Sequence, residues 1–158
     1  MAFDLHRRWR FEATPERLWD LVMEAESYRG WWPWLRELDP ARLEGGTTLA
    51  ATIRPPLPYT VRVRIHVEEV RARELVQASV SGDLVGRARL EIERSGDDAE
   101  VMLHFGLTPQ RALLRRLHVV ARPMLRWGHD WVVDAAIGQL ERATGISAVP
   151  LPAPARVG

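Results

Sequence analysis

The sequence predicts an α+β domain in which a curved antiparallel sheet closes over a long C-terminal helix. Three observations carry that expectation. A well-signalled helix start directly follows a first strand, a block of period-two alternation runs from about residue 35 to 107 with turns but no helix inside it, and a helical period then takes over from about 112 to 143. Strands that succeed one another at short spacing form a meander and not a doubly wound parallel sheet. At 158 residues the chain has the size of one domain and can bury one substantial core. The expected division is a domain over 1–144 and an extended, Pro-rich tail over 145–158.

Residues 3–11 alternate imperfectly and suit a first strand. Thr14-Pro15-Glu16 then supplies an N-cap, a proline at the first helical position and an acid in the first turn. Leu18, Trp19, Leu21 and Val22 follow at helical spacing, so a helix over about 14–24 has one buried face. A second short helix or turn covers 27–31, and Pro33 bars its continuation. Leu49, Ala51 and Ile53 mark a strand, and Arg54-Pro55-Pro56-Leu57-Pro58 is a loop because proline cannot serve a central ladder.

Tyr59, Val61, Val63, Ile65 and Val67 alternate with polar residues and predict a strand with one wet face. Leu75 to Val80 is the next strand, Ser81-Gly82-Asp83 a turn, and Leu84, Gly86, Ala88, Leu90 and Ile92 mark the inward positions of another. After the turn at 95–98, Val101, Leu103, Phe105 and Leu107 close the sheet. One continuous helix over 112–143 would be about 50 Å long, whereas a globule of this size is about 40 Å across. Pro123 therefore predicts a break or kink near 120–122.

Composition excludes several function classes. A hydrophobic share of 46% with 27% charged residues is globular, and there is neither an 18-residue apolar run nor an apolar signal segment behind MAFDLHRRWR. Membrane insertion is not expected, and the cytoplasm is the expected location. The absence of cysteine removes disulfides, thiolate nucleophiles and Cys-based metal sites. Twenty-two basic residues against 21 acidic ones give no general field for a polyanion, so nucleic acid is not an expected partner. HExxH, GxSxG, GxGxxG and the GxxxxGK[ST] loop do not occur, so no metal and no cofactor are expected.

The candidate site lies on the last helix. Arg126, Asp130, Asp134 and Glu141 share a polar stripe, where Arg126 and Asp130 at i,i+4 read as an ordinary solvated pair. The opposite arc carries Gly128, Val132, Ala135 and Gln139, flanked on one side by Trp127 and Trp131. The facing strand positions Gly86 and Ala88 are small as well. Two small faces either pack closely or leave volume for a ligand. Trp31-Trp32-Pro33-Trp34 places at least one indole, Trp34 among them, at a cavity rim, or else plugs the space beneath the sheet. Tyr59 opens the strand after the proline loop and completes the ligand-binding candidates. His129, on the apolar arc, and His104 are the candidate proton-transfer groups, while His66 falls on a wet face.

The segments 9–19, the Trp-rich loop, Leu57-Pro58-Tyr59, Ser81-Gly82-Asp83-Leu84-Val85-Gly86 and Arg122-Pro123-Met124-Leu125-Arg126-Trp127-Gly128-His129-Asp130-Trp131 resemble the bacterial polyketide cyclase/dehydrase-like branch of the START/Bet v 1 (SRPBCC, helix-grip) superfamily. The resemblance runs through about residue 143. It implies a seven-stranded sheet gripping the C-terminal helix, two short helices after the first strand, and an internal cavity for lipids, quinones, polyketides or similar molecules. It does not supply a reaction, because members range from carriers to aromatase/cyclases.

Three functions compete at this level. The first is binding or transport of an apolar small molecule, which needs no catalytic group. The second is a polyketide cyclase or dehydratase in which His129, His104, Tyr59 or Arg54 positions a carbonyl or moves a proton, and it requires two such groups to converge. The third is a protein-interaction module without ligand, which predicts a collapsed interior.

Overall fold

A computed structural model describes residues 3–39, 43–56, 59–116 and 122–152. Strand β1 (Phe3–Phe11) leads into α1 (Pro15–Met23), a 3-10 turn (Ala25–Ser27) and α2 (Tyr28–Trp31). Strands β2 (Leu35–Leu38), β3 (Thr48–Ile53), β4 (Val61–Arg71), β5 (Leu75–Gly82), β6 (Leu84–Ser95) and β7 (Asp98–Pro109) follow. Then come α3 (Arg111–Arg116), α4 (Arg122–Thr144) and β8 (Ala148–Leu151). The expected break near 120–122 falls largely outside the described residues.

The α1 start is capped as its sequence dictates. Thr14 stays extended, its hydroxyl accepts from the Arg17 amide at 3.3 Å, and Pro15 occupies the first turn, where its missing N–H costs nothing. Leu18 and Trp19 are the face this helix buries. In β4 the alternation becomes burial directly: Val61, Val63 and Val67 are buried while Arg62, Arg64, His66 and Glu68 are exposed.

All eight strands form one antiparallel sheet in the order β2-β3-β4-β5-β6-β7-β1-β8. This corrects the expected seven strands. Residues 148–151, read from the sequence as part of the extended tail, pair with β1 from Arg8↔Leu151 to Phe11↔Ala148, and Ile146 just before them is buried. As the sheet's last strand, β8 can hold Pro150, because an edge position needs no outward donor.

Helix α4 packs across the concave face, on the same side as the odd-numbered residues of β1 and β7. Phe105 meets His129 of α4 edge-on with ring centroids 5.8 Å apart. The core beneath has two parts. One joins Trp9, Phe11, Leu18, Trp19, Ile92, Ala99, Val101, Val133 and Ile146 at the α1 end. The other joins Trp34, Leu35, Ala51, Tyr59, Val61, Val63, Val80, Leu107 and Leu113 toward β2 and β3. Phe105 packs against both. Among the described residues no helix is long and apolar enough to cross a membrane.

Candidate functional site

The second core is where the sequence candidates gather. Trp34 and Tyr59 are buried in it, and Ala88, Trp131, Val132 and Ala135 pack against it. Trp34 reaches it because the chain leaves α2 at Trp32 in an extended conformation, turns at Pro33, and enters β2 at Leu35. The Leu35 amide donates to the Trp32 carbonyl at 3.0 Å and the Arg54 amide to the Trp34 carbonyl at 2.8 Å, so the loop is fixed from both sides.

Two indoles of this loop dock on α4. Trp32 Nε1 donates to the Ala136 carbonyl at 2.9 Å, and Trp34 Nε1 donates to Gln139 Oε1 at 2.9 Å. The rings stack on each other at 5.5 Å and 20°, and Tyr28 and Trp31 extend the aromatic cluster at 4.9 and 5.8 Å from Trp32. The stretch of the helix around Ala136 and Gln139 is thus occupied by the protein's own side chains, which corrects the expectation that small residues leave the whole groove empty. Glycine and alanine on α4 are matched there by the largest side chains in the chain.

The volume adjoining this packing is an open cleft of ≈ 530 Å³ at the β2–β3 end of α4. Trp34 and Trp131 line it together with Pro33, Pro55, Pro56, Arg36 and Arg54. The prolines come from the two loops that flank the β2–β3 pair, and a proline there presents apolar ring surface without an N–H to satisfy. Arg36 and Arg54 are exposed, so the cleft combines flat apolar walls with two cationic side chains. The sequence reading found Trp34, Trp131 and Arg54. It missed Arg36 and the proline walls, which nothing but their place beside a Trp-rich loop could have signalled.

Other candidates lie elsewhere. Gly86 is small for a different reason than expected: a Cβ there would sit 1.8 Å from the Gly106 carbonyl oxygen on β7, so the glycine permits close approach of two backbones and does not hold space open. Gly128 is buried, and Trp127 is 51% exposed. Asp134 pairs with Arg7 of β1, and Asp130 lies 3.5 Å from His129 Nδ1, so the polar stripe of α4 is engaged with the sheet and its own helix.

The two histidine candidates do not converge. His129 is largely buried, with 13% of its side chain exposed, and burial holds its imidazole below the ordinary value of 6.5; Arg7 and Arg126 act in the same direction and Asp130 opposes them. His104 is exposed on the opposite, convex face, beside Asp4 and His6. This corrects its candidacy for a site between sheet and helix, since strand residues of opposite parity face opposite sides. Burial pushes the Tyr59 phenol up to about 12, so at neutral pH it is a hydrogen-bond donor and not a base.

A single antiparallel sheet gripping one long C-terminal helix defines the helix-grip class of domain. No family model and no curated protein matches the chain. Solved structures do. A START superfamily protein from Mycobacterium smegmatis aligns with a TM-score of 0.70 at 12% identity, over 90% of this chain and 97% of that one. The major latex-like protein 151 of Panax ginseng aligns at 0.65 and 8% identity, over 90% and 97%. A norcoclaurine synthase point mutant from Thalictrum, in complex with a transition state analogue, aligns at 0.54 and 11% identity, over 91% and 98%. At such identities the likeness is one of fold, and the chain has the START/Bet v 1 fold.

Proposed function

We propose that the protein binds an apolar small molecule of lipid, quinone or polyketide type, with the body of the ligand laid against Trp34 and Trp131. The observation that carries this reading is the cleft of ≈ 530 Å³ walled by two indoles and three prolines. Its size lies within the usual range of small-molecule sites, about 300–1,000 Å³. Its walls combine indole and proline surface, against which an apolar body can lie, with the Arg36 and Arg54 side chains, which can meet a polar end of the ligand. Behind Trp34, Tyr59 belongs to the same buried core and Ala88, Val132 and Ala135 pack against it, while Gln139 accepts from the Trp34 ring. The Thalictrum norcoclaurine synthase mutant is in complex with a transition state analogue, which supports a ligand-holding use of this fold.

The cyclase or dehydratase alternative draws less support. It needs two proton-handling side chains facing one substrate, and the two histidine candidates stand on opposite faces of the sheet, His129 against Phe105 and His104 beside Asp4 and His6. The interaction-module reading draws on one specific observation, the docking of Trp32 and Trp34 on α4, which makes the loop partly a structural plug. Native mass spectrometry of freshly purified protein, followed by thermal shift against fatty acids, quinones and aromatic polyketides, separates the two. Stabilisation that grows with ligand concentration supports binding. Silence across all three ligand classes favours the plug.

A further inference from the structure

On the convex face of the sheet, β1 and β7 bring three metal-ligating side chains together. His6 stands directly opposite His104 in the β1–β7 register, and Asp4 lies two residues before His6 on the same face. The imidazole rings stack, with centroids 3.8 Å apart and planes at 22°. Both Nε2 atoms lie near one carboxylate oxygen: His104 Nε2 is within hydrogen-bond reach of Asp4 Oδ1 at 3.2 Å, and His6 Nε2 lies 3.5 Å from the same oxygen. One potential ligand atom from each residue falls within 4.8 Å of the others.

Zinc bonds of about 2.0–2.1 Å place neighbouring ligand atoms of a tetrahedral site about 3.3 Å apart. The two carboxylate-to-imidazole separations are already in that range. We infer that Asp4, His6 and His104 form a surface site for a late first-row divalent ion of the zinc type, held by two imidazole nitrogens and one carboxylate oxygen, with water in the remaining positions. Imidazole with carboxylate is a donor set suited to zinc, copper, nickel or iron and not to magnesium or calcium, which prefer oxygen alone. No linear motif announces the site, because His6 and His104 lie 98 positions apart in the sequence and only the strand register joins them.

The surroundings set its strength. Arg89 stands opposite His104 on β6 and Arg87 opposite Gly106, so two guanidiniums share this face, and Arg89 is ion-paired with Glu91. Their charge opposes a cation and makes the site weaker than a buried one. The site lies on the face away from α4 and is independent of the ligand cleft.

The test uses untagged protein stripped with a chelator and then titrated with Zn²⁺ by calorimetry. A single ion per chain is expected, and His6→Gln and His104→Gln should each weaken it at least about tenfold. His66→Gln, on β4, should leave it unchanged. Cu²⁺ bound to the wild type should show nitrogen hyperfine coupling from two imidazoles in its electron paramagnetic resonance spectrum. All three ligands are exposed, so circular dichroism should report folded variants. Absence of binding at millimolar Zn²⁺, or affinity retained in both histidine variants, overturns the inference.

Discussion

Trp34 Nε1 donates to Gln139 Oε1 at 2.9 Å across 105 positions of sequence, and this bond ties the loop after α2 to the C-terminal half of α4. It fixes the plane of an indole that faces the core on one side and the cleft on the other. The carboxamide is what lets a polar residue sit on an otherwise apolar arc of the helix, because an N–H of a buried ring needs an acceptor.

Gln139→Leu leaves that N–H without its acceptor and should destabilise the protein by about 1–2 kcal/mol. Gln139→Glu keeps an acceptor in place and should cost less. Chemical denaturation of the three proteins, read as midpoint shifts at constant slope, checks the order.

Two glycines should respond in opposite senses to the same methyl group. Gly86→Ala drives a Cβ against the Gly106 backbone and should cost about 2 kcal/mol or more. Gly138→Ala, inside α4 with nothing within 4 Å of the new carbon, should stabilise by about 0.5–1 kcal/mol. Thermal melting of both variants tests whether Gly86 serves strand approach. Tolerance of alanine at 86 would contradict it.

Burial depresses the His129 imidazole in the folded state, so the native protein resists a proton that the unfolded chain accepts. The stability contributed by keeping this ring neutral is full above the ordinary value of 6.5 and is lost as pH falls through 6.5 toward the lowered folded value. Wild type should therefore lose stability in that window more steeply than His129→Gln, which has no proton to take up. Equal pH slopes in the two proteins would remove His129 as the cause.

Much of the scaffold was legible because its signals are local. Thr14-Pro15-Glu16 specifies a helix start within one turn, and the valines of β4 specify a half-buried strand within seven residues. What escaped depends on pairing between distant segments. The extended tail becomes an eighth strand only because β1 presents an open edge to Ala148–Leu151. Gly86 read as vacant volume since sequence does not show how closely Gly106 approaches. Parity of strand residues also separates His104 from His129: alternation was visible in β7, but its absolute direction was fixed only by Phe105 meeting α4. Within the cleft, Trp34 and Trp131 were legible as aromatic excess, whereas Arg36 and the proline walls arise from two loops meeting.

The seven indole N–H groups offer seven side-chain reporters in a proton–nitrogen correlation spectrum. Titrating isotope-labelled protein with a fatty acid, a quinone or an aromatic polyketide should shift the Trp34 and Trp131 signals saturably and leave Trp9 and Trp19, buried in the other core, in place. Assignment by single Trp→Phe variants identifies each peak. If all three ligand classes leave Trp34 and Trp131 unmoved, or if shifts arise at other indoles alone, the cleft is not where a ligand binds.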